Sequence, residues 1–174
     1  MSDNSLDLAT PAVDLEIIVR GARDGQKPQL RLWLRLLSIT KMISQEVRRR
    51  LRVEFDATLP QFDVLAQLYR ERDGLRLGEL SRRTMVTNGN ITGLVDRLEA
   101  SGLIARTTQE GDRRVTVAKL TKRGREVFAG MAKAHEGWLR ELMADVGDEA
   151  LALALKQLEA VKGSVGRHLV ESDD

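Results

Sequence analysis

The middle of the chain is the part that most constrains the fold, because its periodicity changes there from helical to extended. Two short helical patterns, Leu77–Thr84 and Asn88–Ser101, come first. Apolar and polar residues then alternate in Leu103–Thr108 and again in Arg114–Leu120, which is typical of half-buried strands. The charged segment Gln109–Arg113, with a glycine in it, joins the two strands as a turn. These patterns predict two small helices followed by a β-ribbon.

Longer helical patterns flank this segment. The first runs from Leu30 and repeats apolar residues every three or four positions as far as Leu51. Thr58 opens the second helix in a capping box, with glutamine three positions later and proline in the tolerated first turn. Thr121 is positioned to cap a long helix, and a last helix follows the Gly147-Asp148 break. The predicted fold is therefore mainly α with a small β-ribbon.

The last helix suggests how the chain is organised. Its apolar stripe comprises Leu151, Leu155, Leu158, Val161, Val165 and Leu169. One chain of 174 residues offers this stripe too few partners, so we expect a homodimer. The predicted organisation is an N-terminal arm (1–28), a helical dimerisation region (29–57 and 121–174) and a winged helix-turn-helix (58–120).

The composition of the chain argues against several classes of function. The chain has 28 Lys and Arg residues and 26 Asp and Glu residues. The resulting net charge of +2 does not by itself indicate nucleic-acid binding. The absence of cysteine excludes disulfides and thiolate metal sites, and two distant histidines indicate neither a metal site nor a cofactor. No apolar run approaches the ~20 residues that span a bilayer, and the acidic start MSDNSLDL is not a secretory signal. No nucleophile–base pattern indicates an enzyme, so we expect a non-enzymatic, cytoplasmic protein without a membrane partner.

The second helix of the central segment carries the side chains suited to reading DNA. Ile91, Leu94, Val95 and Leu98 fall on one face and predict its buried side. Amides can bond adenine bidentately, and threonine can bond a base edge or contact a thymine methyl group. The candidate DNA-contacting residues at and beside this helix are Thr87, Asn88, Asn90, Thr92 and Arg97. Arg82 and Arg83 of the preceding helix are candidates for phosphate contacts. The alternative is an ordinary solvated face with amides serving only as caps.

The turn between the strands is the second candidate DNA contact. Asp112, Arg113 and Arg114 lie at or beside its tip. Arginine suits the narrow, negative minor groove of A·T-rich DNA, and an aspartate can orient a neighbouring guanidinium. A plain charged turn is the alternative.

Two further groups lie outside this segment. The aromatic-type residues Trp33, Phe62, His135 and Trp138 are either core residues or the lining of a pocket for an aromatic ligand. The basic run Arg48–Arg52 either meets an anion or is simply solvated.

The whole pattern resembles the MarR family of bacterial transcriptional regulators, over about Leu30–Val170. The residues that carry the resemblance are LGELSRRTMVTNGNITGLVDRLEASGLIAR, the GDRR turn and the LTKRG that opens the next helix. The resemblance implies a homodimer with intertwined terminal helices. It also implies binding to a pseudo-palindromic double-stranded operator, and release of that DNA when a small, often aromatic, effector binds. It places Asp112, Arg113 and Arg114 at the wing tip, whereas Gly93 departs from the arginine that many members have there.

A narrower resemblance concerns the effector. RLWLRLLSIT, LPQFDVLAQLYR, MVTNGNITGL and AHEGWL are similar to a subgroup that senses hydroxycinnamoyl-coenzyme A thioesters in aromatic catabolism. We therefore expect a ligand-responsive repressor whose effector is an aromatic acid or an aryl-CoA thioester. A constitutive architectural DNA-binding protein and a helical interaction module that does not bind DNA are the alternatives.

Overall fold

The computed structural model describes residues 27–84, 88–109 and 112–171, and over them the chain is mainly helical. The helices are α1 (Pro28–Phe55), α2 (Leu59–Arg70), α3 (Leu77–Thr84), α4 (Asn88–Ala100), α5 (Lys122–Leu142) and α6 (Asp148–Glu171). The strands are β1 (Leu75–Arg76), β2 (Ile104–Gln109) and β3 (Asp112–Leu120). The predicted fold class, mainly α with a small sheet, is confirmed. The chain divides into two compact units, with the boundary inside α5 between Lys133 and Ala134.

Local side-chain chemistry sets the helix ends. The Thr58 hydroxyl accepts a hydrogen bond from the Gln61 amide (3.4 Å), and the Gln61 side chain accepts one from the Thr58 amide (2.8 Å), which is the predicted capping box. α1 ends at Asp56, whose φ of 48° is a left-handed conformation more commonly supplied by glycine. α4 ends at Ala100, and Gly102 two residues later has a φ of 71°, the left-handed conformation that its sequence position predicted.

The sheet has three strands rather than the predicted two. β3 lies in the middle and pairs antiparallel with β2 on one side and with β1 on the other. Leu75 lies opposite Ala118, and Arg76 lies opposite Val117. Gly74, with a φ of 86°, leads into β1, and a Cβ there would collide with the Ala118 carbonyl oxygen. The segment before α3 therefore forms part of the sheet.

The core of the first unit joins the helices of the winged segment to the sheet and to α5. Its fully buried large side chains are Leu51, Val64, Leu65, Leu68, Leu80, Ile91, Val95 and Ile104. Phe128 of α5 packs against Phe62 and Tyr69 of α2, with ring centroids 5.4 and 5.0 Å apart. Phe62 is thus a core residue. Trp33 is 56% exposed, so the interpretation of Trp33 as a core residue is wrong.

The two long terminal helices expose apolar side chains. On α1 these include Ile39 and Met42, and on α6 they include Leu155 and Leu169, with exposures of 55–65%. None of the helices within the described ranges is long and apolar enough to cross a membrane.

Candidate nucleic-acid interface

The helix α4 has one buried face and one open face. Ile91, Leu94, Val95 and Leu98 are buried, as their spacing predicted. Asn90 and Thr92 are exposed near the N-terminal end, where the helix of a helix-turn-helix contacts base edges. The open face is therefore polar where a DNA-reading helix needs to be polar.

Helical geometry divides this open face into two edges and a centre. At 100° per residue, Asn90 and Arg97 lie along one edge, and Thr92 and Asp96 lie along the other. Gly93 lies between the edges, and a Cβ built on it would meet nothing within 4 Å. The centre of the face is therefore bare backbone.

Arg106 of β2 links one edge of α4 to the wing, the hairpin formed by β2 and β3. Its Nη1 donates to Asp96 Oδ1 (2.6 Å) and its Nε donates to Glu99 Oε2 (2.7 Å), while its backbone N–H donates to Glu99 Oε1 (3.2 Å). The guanidinium lowers the pKa of the Glu99 carboxyl, chiefly through the side-chain hydrogen bond. Asp96 and Glu99 therefore bind α4 to β2 through Arg106. Sequence periodicity gave no sign of this link, because it joins residues of two different elements.

The two arginines of α3 differ in their surroundings. Arg83 donates to Glu71 (2.9 Å) and to Glu79 (2.5 Å), and these carboxylates, Glu71 first, raise the pKa of its guanidinium. Arg82 is exposed and forms no ion pair with any carboxylate that the structure describes. Of the two predicted phosphate contacts, Arg83 is already neutralised by carboxylates, whereas the charge of Arg82 is available to a DNA phosphate.

Several predicted contacts lie outside what the structure describes. Thr87 lies between α3 and α4, outside the described residues. Asn88 begins α4, and Asp112, Arg113 and Arg114 begin β3, but the side chains at these positions are not described. Their predicted roles stay predictions.

A tight junction fixes the C-terminal end of α4 to the start of α5. The Thr121 hydroxyl accepts from the Gly124 amide (2.9 Å), which caps α5 as predicted, and donates to the Gly102 carbonyl (2.8 Å). The Thr121 amide donates to the Leu103 carbonyl (3.0 Å). A Cβ at Gly124 would collide with that same carbonyl oxygen, so only glycine allows this approach.

The basic run on α1 is partly neutralised within its own helix. Glu46 accepts from Arg49 (2.7 and 2.8 Å) and from Arg50 (2.7 Å). These hydrogen bonds, with Arg49 the larger cause, lower the pKa of Glu46 to about 2. Arg48 and Arg52 are exposed. The run therefore behaves largely as a solvated face.

The four predicted ligand residues are divided between the two compact units, and their role as one ligand site stays a prediction. Trp33 and Phe62 belong to the first compact unit, whereas His135 and Trp138 belong to the second. His135 and Trp138 meet edge to face, with ring centroids 6.3 Å apart. None of the four lines the cavity of about 440 Å³ that the first unit contains, which lies among α1, α2, α4 and α5. Within the described ranges, no group of three or more carboxylate or histidine side chains is placed to hold a metal ion.

Comparison with known proteins agrees with this geometry. The MarR family model matches residues 57–116, which span α2 to β3. A MarR family transcriptional regulator from Silicibacter pomeroyi has 36% sequence identity and a TM-score of 0.69; the match covers 82% of this chain and 98% of that one. The chain belongs to the MarR family.

The chain is also similar to two further proteins. The transcriptional activatory protein BadR of Rhodopseudomonas palustris is 35% identical over 105 residues, which are 59% of this chain and 59% of the length of BadR. The chain thus spans about three-fifths of that relative. The MepR–DNA complex of Staphylococcus aureus has a TM-score of 0.63 at 22% identity over 74% of this chain and 94% of that one, a likeness of fold alone.

Proposed function

We propose that this MarR-family chain is a homodimeric, DNA-binding transcriptional regulator that releases a pseudo-palindromic operator when an aromatic acid or aryl-CoA thioester binds. The observation that carries the proposal is α4, a helix buried on one side through Ile91, Leu94, Val95 and Leu98 and open on the other through Asn90 and Thr92. Asparagine and threonine are suited to base edges in the major groove. The wing then follows in β2 and β3, with Arg113 and Arg114 proposed to reach the minor groove.

The proposed dimer is formed by α1 and α6, which carry exposed apolar side chains in the described part of the chain. Leu155 is 63% exposed and Leu169 is 64% exposed. A two-fold axis would place two α4 helices about 34–36 Å apart, one turn of the duplex. We expect Leu155→Glu to produce monomers in sedimentation experiments, whereas Lys156→Glu, on the adjacent exposed position, leaves the dimer intact. A folded wild-type monomer at micromolar concentration would exclude this assembly.

DNA binding is tested by selecting genomic fragments with the purified protein and mapping the bound sequence by footprinting. We expect a two-fold symmetric footprint with half-sites one duplex turn apart. Asn90→Ala and Thr92→Ala should change sequence preference by about 1–3 kcal/mol for each lost base contact. Equal losses on selected and random DNA would mean that this face does not read bases. Failure to select any DNA would favour a helical interaction module.

The response to ligand separates a regulator from an architectural protein. Aromatic acids and their CoA thioesters are added to the protein–operator complex, and release is measured by fluorescence anisotropy. An architectural binder would hold its DNA at every ligand concentration. We place Trp33, Phe62, His135 and Trp138 in the proposed ligand site, and replacing Trp138 or His135 by alanine should weaken the response.

Activation is the second candidate for the direction of regulation, since the relative BadR is named an activatory protein. Placing the selected operator before a reporter gene distinguishes the two. Removal of the regulator raises reporter expression if it represses and lowers expression if it activates.

A further inference from the structure

The direction of the wing depends on contacts at its base. β1 pairs with β3 only at Val117 and Ala118. Among the described residues on the tip side of Val117, β3 pairs with β2 alone, so the outer part of the wing is a two-stranded ribbon. Such ribbons twist strongly and are only marginally stable on their own. The angle at which the wing leaves the domain is therefore fixed by contacts made outside the ribbon.

Arg106 provides such a contact. It lies opposite Ala118, at the base of the ribbon, and its side chain contacts α4. The guanidinium meets both Asp96 and Glu99, and Glu99 also accepts a hydrogen bond from the backbone N–H of Arg106 (3.2 Å). The side chain and the backbone of one β2 residue are thus both held by α4. Because Asp96 lies on the same edge of α4 as Thr92, this contact is made on the proposed DNA-facing side.

The charges of this cluster argue against a direct role in attracting DNA. One guanidinium faces two carboxylates, so Arg106, Asp96 and Glu99 together carry one net negative charge. Their side chains are 30%, 51% and 35% exposed, so this charge would be felt by a phosphate backbone beside them. By contrast, the exposed Arg82 has no carboxylate partner in the part of the chain that the structure describes. A negative cluster repels DNA, so its contribution to binding has to be geometric.

We propose that Arg106 is a positioning residue for DNA binding, which fixes the angle between α4 and the wing without itself contacting the DNA. With that angle set before binding, α4 can lie in the major groove while the wing tip reaches the minor groove. A wing without this contact would have to be ordered on the DNA, which costs conformational entropy. This role rests on the proposed function, because it requires that both elements meet the same operator.

Removing the two carboxylates gives the sharpest test, because charge and geometry then predict opposite results. The double variant Asp96→Asn, Glu99→Gln makes the region more positive by two charges, which by electrostatics alone would strengthen DNA binding. If Arg106 acts through its carboxylate partners, the Kd for the selected operator should instead rise by about 10-fold, comparable with ordering one or two long side chains on binding. Glu136→Gln is the control, because it removes an exposed carboxylate paired with Arg140 on the same helix, and it should leave Kd unchanged.

A double-mutant cycle shows whether Arg106 acts through the wing. Arg106→Ala should also raise Kd by about 10-fold in the otherwise wild-type chain. In a chain that already carries Arg113→Ala and Arg114→Ala, the same change should raise Kd by no more than about 2-fold, because the contacts that it positions have been removed. These titrations are made at low salt, where weak binding stays measurable. Arg106→Lys should be intermediate, since an ammonium group lacks the planar fork that holds two carboxylates.

Measurements on the free protein separate positioning from a loss of folding. Exposed ion pairs contribute little to stability, so Tm should fall by no more than about 4 °C in Arg106→Ala. Hydrogen exchange of the backbone amides should become faster in β2 and β3 and stay unchanged in α2, whose Val64, Leu65 and Leu68 are buried. Unchanged exchange in the wing would show that the contact does not hold it, and would overturn the proposal.

Two results with DNA would also overturn this role. A double carboxylate variant that binds the operator more tightly than the wild type would show that the cluster acts through its charge. Losses that add fully in the cycle would show that Arg106 contacts the DNA itself, while the proposed function would stand. If the wild-type chain selects no DNA, the proposed function fails and the role of Arg106 fails with it.

Discussion

Gly93→Ala is expected to stabilise the protein and weaken its DNA binding at the same time. A Cβ at this position would meet no atom within 4 Å, so the methyl group creates no clash in the free protein. Replacing glycine by alanine inside a helix contributes about 1 kcal/mol. In a chain of this size, that corresponds to a rise in Tm of roughly 2–4 °C.

The expected loss of DNA binding follows from the position of Gly93 at the centre of the open face of α4. If the groove of the operator approaches the backbone there, an inserted methyl group overpacks the interface. Overpacking costs about 1–3 kcal/mol in close-packed surroundings, which corresponds to a roughly 5- to 150-fold rise in Kd. The methyl group carries no charge, so the slope of log Kd against log salt should not change.

The assay pairs thermal denaturation with anisotropy titrations on the operator at several salt concentrations. Gly130→Ala is the matched control, because Gly130 is an exposed α5 glycine whose added Cβ would also meet nothing within 4 Å. It should raise Tm similarly and leave the Kd for DNA unchanged. A Gly93→Ala protein that binds its operator as tightly as the wild type would refute the close approach of DNA to this face.

Three other substitutions test the roles of single residues. Gly124→Ala should lower the free energy of unfolding by about 2 kcal/mol or more in urea denaturation, because its Cβ meets the Leu103 backbone, which has no rotamer by which to move away; a stability equal to that of Gly130→Ala would show that the junction is loose. The depressed pKa of Glu46, about 2, means that its contribution to stability is present above the ordinary value of 4.5 and is lost as the pH falls toward 2. Glu46→Gln should therefore flatten the pH dependence of stability in that window, and an unchanged profile would show that Arg49 and Arg50 do not hold the carboxylate in solution. Arg114→Ala should weaken operator binding and reduce its salt slope by about one, and an unchanged slope would remove this arginine from the DNA.

Local signals in the sequence were sufficient for most element boundaries. The capping box of Thr58, the left-handed Gly102 and the cap at Thr121 were each predicted because the residues that form them are close neighbours in sequence. The buried face of α4 followed from a spacing of three and four residues. Such features need no knowledge of which elements meet.

Features that depend on distant residues were not predictable in this way. β1 is two residues long and exists through pairing with Val117 and Ala118, some forty positions further along the chain. Arg106 was unremarked in the strand pattern, yet it joins β2 to α4. The exposure of Trp33 was not predictable because the apolar repeat of α1 does not distinguish a covered side of the helix from an exposed one. The cavity was missed for the same reason, since four elements contribute to it.

The anchoring of α4 bears on how an effector would act on the proposed DNA contacts. Polar contacts fix its C-terminal half: Asp96 and Glu99 are held by Arg106, and Gly102, two residues beyond the helix, is held by Thr121. Its 13 residues form a rod about 20 Å long, so a tilt of about 5° at the anchored end displaces the N-terminal end by roughly 2 Å. Hydrogen bonds to base edges tolerate only a few tenths of an ångström. An effector would therefore need to turn the helix only slightly to move Asn90 and Thr92 away from the bases that we propose they contact. On this basis we expect the proposed reading of DNA to be controlled from the anchored, C-terminal end of α4.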